Sequence, residues 1–172
     1  MRVVGGSARG RPLRGPKGDD IRPTSDRTRE SIFNVLMSLG GVEDATVADL
    51  FAGTGALGIE ALSRGAAHAT FVDRDITLVR ANLDSLGFAD RATVVRADVL
   101  RWVEAAGPFD LAFADPPYSF DQWAGLLDRL DAELVVVESD RVVDPGARWR
   151  VVGTKRYGST VVVVAQPNRG EP

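Results

Sequence analysis

The chain of 172 residues contains no cysteine and only one histidine, His68. The first absence excludes disulfides, thiolate zinc sites and a cysteine nucleophile. The second argues against a metal centre or a Ser-His-Asp arrangement. No residue near His68 offers the orienting group that a catalytic histidine needs, so it reads as structural or exposed. Long hydrophobic runs are also missing, and Val161 to Val164 falls far short of a bilayer span. Met1-Arg2-Val3-Val4-Gly5-Gly6 has no secretory apolar segment, so a cytoplasmic protein is expected. With 44% hydrophobic and 26% charged residues, the composition is that of a single globular domain with one core.

Acids are absent from Met1 to Gly18, a segment that holds Arg2, Arg9, Arg11, Arg14 and Lys17. The net charge of −3 therefore divides into a basic arm and a body carrying −8. Such an arm suits contact with a polyanion, and arginine suits bidentate phosphate contacts. A solvated, partly disordered tail would have the same composition. Val3-Val4, the Gly5-Gly6 break and an extended piece near Arg11-Pro12-Leu13 predict a small hairpin or arm over residues 1–20. Pro23 then forces an extended approach, and Thr24, Ser25 or Asp26 can cap a helix. That helix is expected to run to about Leu39, bury Ile32, Phe33, Leu36 and Met37, and stop at Gly40-Gly41.

From Thr46 onward, apolar runs alternate with amphipathic ones. Strands are predicted at Thr46 to Phe51, Ala69 to Val72, Ala92 to Arg96, Phe109 to Ala114 and Leu134 to Glu138. Helices are predicted at Gly55 to Arg64, Asp75 to Leu86 with Asp75 as cap, Val99 to Ala105 and Phe120 to Leu130. This βαβ repetition implies a Rossmann-like α/β fold, a mostly parallel sheet covered on both faces. Arg148 to Val152 and Thr160 to Ala165, with Lys155-Arg156-Tyr157-Gly158 between them, predict a C-terminal antiparallel hairpin at the sheet edge. Residues 21–172 thus form one domain behind the arm.

Two stretches carry chemistry. Asp115-Pro116-Pro117-Tyr118 follows a buried strand, at the end of which open α/β sheets bind ligands. The prolines stiffen the backbone, so the Asp115 side chain, the Asp115 and Pro116 carbonyls and the Tyr118 ring can surround a planar amine. The same residue types also mark ordinary turns. The second stretch, Asp49 to Gly58, places Gly53, Gly55 and Gly58 in a G-x-G-x-x-G pattern between strand and helix. Asp49 would be unwelcome beside a pyrophosphate. It suits a ligand bearing an ammonium or sulfonium, as S-adenosylmethionine does. Asp73 ends the second strand, where an acid accepts from ribose hydroxyls, and Asp98 follows the third, where it can accept from an adenine amine. Either acid could simply cap the next helix.

Together these residues resemble a class I S-adenosylmethionine-dependent methyltransferase with an (Asp/Asn)-Pro-Pro-(Tyr/Phe) motif. The N-terminal half narrows the resemblance: Arg2-Val3-Val4-Gly5-Gly6, Arg9-Gly10-Arg11 and Arg22-Pro23-Thr24-Ser25-Asp26-Arg27-Thr28-Arg29-Glu30-Ser31-Ile32-Phe33-Asn34 are similar to the bacterial 16S rRNA guanine-N2 methyltransferase family. Gly55 to Arg64 and Val137-Glu138-Ser139 match it as well. Ser25 stands where the family often has Thr, and Asp73 where many members have Glu.

The resemblance implies methylation of the exocyclic N2 of one guanine of 16S rRNA, by resemblance guanine 966. The substrate would be the small ribosomal subunit or a late assembly intermediate, and the enzyme a monomer without metal. Asp115, Pro116, Pro117 and Tyr118 would act on the base. Phe51, Ala52, Gly53, Thr54, Gly55, Leu57, Asp73, Arg74, Asp98 and Val99 would line the cofactor site with Asp49 and Asp115, and Thr24, Arg27 and Glu30 would lie beside the methionyl end. Arg2, Arg9, Arg11, Arg14, Lys17, Arg22, Lys155 and Arg156 would grip phosphates. The competing expectations are an adenine-N6 DNA methyltransferase, an NAD-dependent oxidoreductase and a non-catalytic RNA-binding assembly factor, and fold alone does not select among them.

Overall fold

The computed structural model of the chain describes residues 1–18 and 24–170. Five short apolar segments form parallel strands: β1 (Thr46–Leu50), β2 (His68–Asp73), β3 (Ala92–Arg96), β4 (Leu111–Ala114) and β5 (Val135–Ser139). Two later segments, β6 (Trp149–Tyr157) and β7 (Thr160–Pro167), pair antiparallel. The order across the seven-stranded sheet is β3-β2-β1-β4-β5-β7-β6. β7 lies antiparallel against β5, which leaves β6 at the edge. The order reverses between β1 and β4, the place where open α/β sheets leave a crevice beyond their strand ends.

Helices α1 (Asp26–Ser38), α2 (Ala56–Ser63), α3 (Thr77–Leu86), α4 (Val99–Trp102) and α5 (Trp123–Arg129) connect and cover these strands. Alternate strand residues feed two apolar layers. Val47, Phe71, Phe113 and Val136 pack with Ile32, Phe33, Ile59 and Leu83 on one side. Leu50, Val72, Ala112 and Val135 pack with Val99, Leu126 and Leu127 on the other. Because both faces are covered, the central strands read as continuous apolar runs.

Several boundaries move. α1 buries Ile32, Phe33 and Leu36 as expected, but Met37 is 60% exposed, since it lies one step round the helix from that stripe. α5 begins three residues later than the pattern suggests, because the Phe120 N–H closes a turn onto the Pro117 carbonyl at 2.8 Å. α4 is a single turn that continues as a 3₁₀ turn over Val103–Ala105. β4 starts at Leu111, with Phe109 reduced to one isolated bridge to Ala132. α3 begins at Thr77, whose N–H donates to the Asp75 carboxylate at 3.0 Å. Lys155 and Arg156 lie within β6, not in the connection, and the turn is Gly158-Ser159 between the paired Tyr157 and Thr160.

The first eighteen residues fold as a small hairpin and pack on the body. Val3 N–H donates to the Arg11 carbonyl at 3.0 Å and Gly10 N–H to the Val3 carbonyl at 2.8 Å. Val3, Ala8 and Leu13 are buried. Val4 and Gly5 N–H groups donate to the carboxylate of Glu60, fully buried in α2, at 2.9 and 2.7 Å. The same carboxylate meets Arg29 of α1 at 3.5 Å and Arg64 at 2.9 Å. One acid therefore ties hairpin, α1 and α2 together, and every one of its partners supplies an N–H. Among the described residues, no helix is long and apolar enough to cross a membrane.

Candidate active site

Beyond the end of β4 the chain enters Asp115, whose Pro116 neighbour is buried while Tyr118 is 39% exposed. Asp115 does not stand alone. The Thr24 hydroxyl, just before α1, lies 3.1 Å from Asp115 Oδ2 and 2.8 Å from Glu138 Oε2 of β5. Thr24 is held from behind, because the buried Arg29 guanidinium donates to its carbonyl at 3.2 Å and also bonds the Arg2 carbonyl and Asp26. Burial pushes the Asp115 carboxyl up to about 6. Burial and the nearby Asp115 charge push Glu138 up to about 8. The tetrapeptide is braced from its other side, where Arg141 donates to the Tyr118 carbonyl at 3.1 Å and the Phe120 carbonyl at 2.8 Å. The Tyr118 hydroxyl lies 3.2 Å from Thr160 Oγ1. Thr24, Arg27, Tyr118, Glu138, Tyr157 and Thr160 line a cavity of about 480 Å³ that joins α1, the β4 loop, β5 and the β6–β7 turn.

The glycine loop occupies the other side of the crevice. Phe51 has φ 59°, an uncommon left-handed conformation for a bulky residue, and its ring packs edge-on against Phe120 at 5.2 Å. Gly58 lets α2 approach the sheet: a Cβ there would run into the Phe71 ring and stand 3.0 Å from Asp49 Oδ2. Its N–H donates to that Asp49 oxygen at 2.9 Å. Asp49 is buried, and desolvation pushes it up to about 8 despite this bond. Gly53, at φ 56°, is open: the nearest atom to a Cβ would be the Phe51 carbonyl oxygen at 4.0 Å. A ligand can therefore lie against its backbone.

Acids line the neighbouring strand ends. Asp73 Oδ2 accepts the Gly53 N–H at 2.8 Å and Oδ1 the Asp75 N–H at 3.1 Å. Asp98 caps α4 by accepting the Arg101 N–H at 3.2 Å, and it pairs with Arg74. The Arg74 hydrogen bond holds the Asp98 carboxyl below its usual value. Ala52, Gly55, Leu57 and Val99 are buried behind this surface, and the Thr54 carbonyl accepts from Asn82 at 2.9 Å. Open glycine backbone flanked by carboxylate acceptors fits a nucleoside that presents hydroxyl and amine donors.

The remaining expected residues are placed as follows. Arg27 lines the cavity, whereas Glu30 is exposed on α1 and does not line it. Arg22 lies outside the described residues. Arg2 donates to the Gly10 carbonyl at 2.7 Å, and Arg11 to the Ser85 and Leu86 carbonyls at the end of α3. Arg9, Arg14, Lys17, Lys155 and Arg156 are exposed. His68 Nε2 meets Thr93 Oγ1 at 2.8 Å, far from any role in the crevice. Glu138, Arg29, Arg141 and Tyr157 are not among the site residues that the sequence predicts. Two of them leave a trace in it. Glu138 is an acid that directly follows the valine run Val135-Val136-Val137, and Arg29 falls on the same helical stripe as Ile32, Phe33 and Leu36.

A family model described as Conserved hypothetical protein 95 matches residues 1–166. The ribosomal RNA small subunit methyltransferase D of Escherichia coli K12 is 37% identical over 150 residues, which cover 81% of this chain and 75% of that protein. YlbH of Bacillus subtilis strain 168, which carries the provisional name of an rRNA methyltransferase, is 40% identical over 181 residues, 95% of this chain and 97% of its own. Of the solved structures, Escherichia coli yhhF, provisionally named a methyltransferase, matches with a TM-score of 0.84 at 34% identity over 97% of both chains. A hypothetical protein of Thermus thermophilus matches with a TM-score of 0.80 at 30% identity over 95% of this chain and 98% of its own.

Proposed function

The chain belongs to the family of the ribosomal RNA small subunit methyltransferase D proteins, and on that premise we propose that it transfers a methyl group from S-adenosylmethionine to the exocyclic N2 of one guanine in 16S rRNA. The substrate is the small ribosomal subunit or an intermediate of its assembly. The observation that carries this reading is the meeting, across one crevice, of the Asp115-Pro116-Pro117-Tyr118 turn with the open glycine loop.

Bound S-adenosylmethionine supplies a methyl group on a sulfonium. Everything else is positioning by this chain. Gly53 gives close access along its backbone, and Asp73 and Asp98 offer acceptors at adjacent strand ends. Asp49 anchors the loop through Gly58 and places a carboxyl group beneath the site. Thr24 and Arg27 stand at the end of the crevice nearest β4 and β5.

The target base must leave its stack, since an N2 inside an RNA helix is poorly reached. The cavity of about 480 Å³ falls in the range of about 300–1,000 Å³ usual for ligand pockets, and the partly exposed Tyr118 ring forms a stacking face at its rim. The N2 lone pair is delocalised into the purine. The Asp115 carboxylate and the Pro116 carbonyl accept the amine hydrogens, which turns the lone pair out of conjugation and toward the methyl group. The rate gain is then orientation and electrostatic preorganisation, without a covalent enzyme intermediate. The packed basic hairpin and Lys155-Arg156 of β6 supply phosphate contacts around this mouth.

Incubation with methyl-labelled S-adenosylmethionine and small subunits, naked 16S rRNA or duplex DNA, followed by nucleoside analysis, tests the reading. The expected product is N2-methylguanosine at one position. Label in methyladenine of DNA would favour the adenine reading, and no label despite cofactor binding would favour a non-catalytic assembly factor.

A further inference from the structure

The Thr24 hydroxyl has one hydrogen and two carboxylate neighbours, Asp115 Oδ2 at 3.1 Å and Glu138 Oε2 at 2.8 Å. It can donate to only one of them. The other contact is a hydrogen bond only if that carboxyl itself carries a proton and donates to Thr24 Oγ1. Two ionised carboxylates around one hydroxyl, both largely removed from water, would also repel strongly. The pair therefore holds one proton at rest, and it sits on Glu138, which is 5% exposed within β5 while Asp115 at the end of β4 is less enclosed, and whose carboxyl burial and the Asp115 charge both push up. The resting chain is Glu138 O–H to Thr24 Oγ1, and Thr24 O–H to the Asp115 carboxylate.

Desolvation and the Asp115 charge hold the proton on Glu138 against the pull of Arg29, which favours the ionised form. Arg29 of α1 is the cation that acts on Glu138, and Asp115 at the end of β4 its acidic neighbour, with Asp49 of β1 beyond Asp115. Arg29 also grips the Thr24 carbonyl, which fixes the backbone that carries the hydroxyl. Glu138 lines the 480 Å³ cavity together with Arg27, Tyr118 and Tyr157, which gives its proton a route to water.

Resting on the proposed methyl transfer, we infer that Glu138 and Thr24 form a relay that removes from Asp115 the proton released by the methylated nitrogen. As the N–C bond forms and the S–C bond breaks, the nitrogen carries one proton too many, and the ionised Asp115 takes it. Glu138 then releases its own proton to water in the cavity, the Thr24 hydroxyl proton passes to Glu138, and the Asp115 proton passes to Thr24 Oγ1. Asp115 is again ionised, and the net result is one proton delivered to solvent. In this scheme Thr24 and Glu138 are positioning residues that act through Asp115.

Glu138→Gln keeps the shape and still donates to Thr24, but it cannot release a proton. Rapid-quench assays with enzyme in excess and with RNA in excess separate the first turnover from the steady state. The relay predicts that Glu138→Gln slows the steady state at least about tenfold more than the first turnover, and that Thr24→Val gives the same split. Equal slowing of both phases, or no slowing, would overturn it. Infrared spectra of the ligand-free proteins at neutral pH test the resting state without any turnover. The wild-type minus Glu138→Gln difference is expected to show a lost protonated-carboxyl band, whereas a lost ionised-carboxylate band would refute the assignment. Absence of methyl transfer by the wild-type protein, with the infrared result intact, would count against the proposed function and leave the shared proton standing.

Discussion

Tyr118 is held by Thr160 on its ring hydroxyl and by Arg141 on its backbone carbonyl, and 39% of the residue still faces solvent. A preset aromatic face costs little ordering when a base arrives. Its loss can therefore be separated from the chemistry. Tyr118→Ala is expected to weaken RNA binding by about 1–3 kcal/mol, the usual worth of one stacked base, while leaving cofactor affinity near wild type. Parallel titrations with RNA and with S-adenosylmethionine measure both; a variant that loses cofactor affinity instead would move Tyr118 out of the base site. Phe51 is also under backbone constraint, and its left-handed φ of 59° turns the chain sharply from β1 into the open Gly53.

At the scale of elements, the charges of the basic hairpin fall into two groups, one bonded to the body and one exposed. Arg11 reaches the Ser85 and Leu86 carbonyls in the last turn of α3, where a cation also suits the helix dipole. Arg9 and Lys17 are exposed. Arg11→Gln is accordingly expected to lower unfolding free energy by about 1 kcal/mol, measured by urea denaturation. Arg9→Gln with Lys17→Gln is expected to leave stability alone and to reduce the slope of log affinity against log salt by about 0.7 per lost phosphate contact. An unchanged slope in the double variant would remove the hairpin from the RNA-binding surface. The hairpin and the strands of the sheet are legible in the sequence because local pattern determines them: Val3-Val4 before Gly5-Gly6, and apolar runs such as Val135-Val136-Val137 for strands covered on both faces. β6 is longer than its pattern suggests, because most residues from Arg150 to Arg156 are exposed and lack the alternation that marks a half-buried strand. The glycine loop and the Asp115 turn are legible as motifs. What stays hidden is the contact of Thr24 with Glu138, 114 residues apart, which exists only once α1 is laid across the strand ends.

For the whole molecule, three buried acids set the response to pH. Asp49, Asp115 and Glu138 are raised to about 8, 6 and 8. Unfolded carboxyls ionise near about pH 4, so between about 4 and 8 the unfolded chain has released protons that the native fold retains. Stability therefore falls as pH rises through that window. Below it, the lowered Asp26 and Asp98 act in the opposite sense, because their protonation favours the unfolded chain. The thermal midpoint of the ligand-free protein is expected to decline from about pH 5 to about pH 8.5, and less steeply in Asp49→Asn, where one of the three acids is gone. A midpoint that rose over this range would show that the carboxyls are ionised in the fold.

The crevice at the reversal of strand order unites these scales, and its central residue is Asp115. The most direct test is single-turnover methyl transfer to the small subunit by Asp115→Ala, with S-adenosylmethionine binding measured on the same preparation. Loss of at least about a hundredfold in rate, some 2.7 kcal/mol of transition-state stabilisation, with cofactor affinity largely kept, is the result expected of an acceptor that orients the amine. A near wild-type rate with intact cofactor binding would contradict the account.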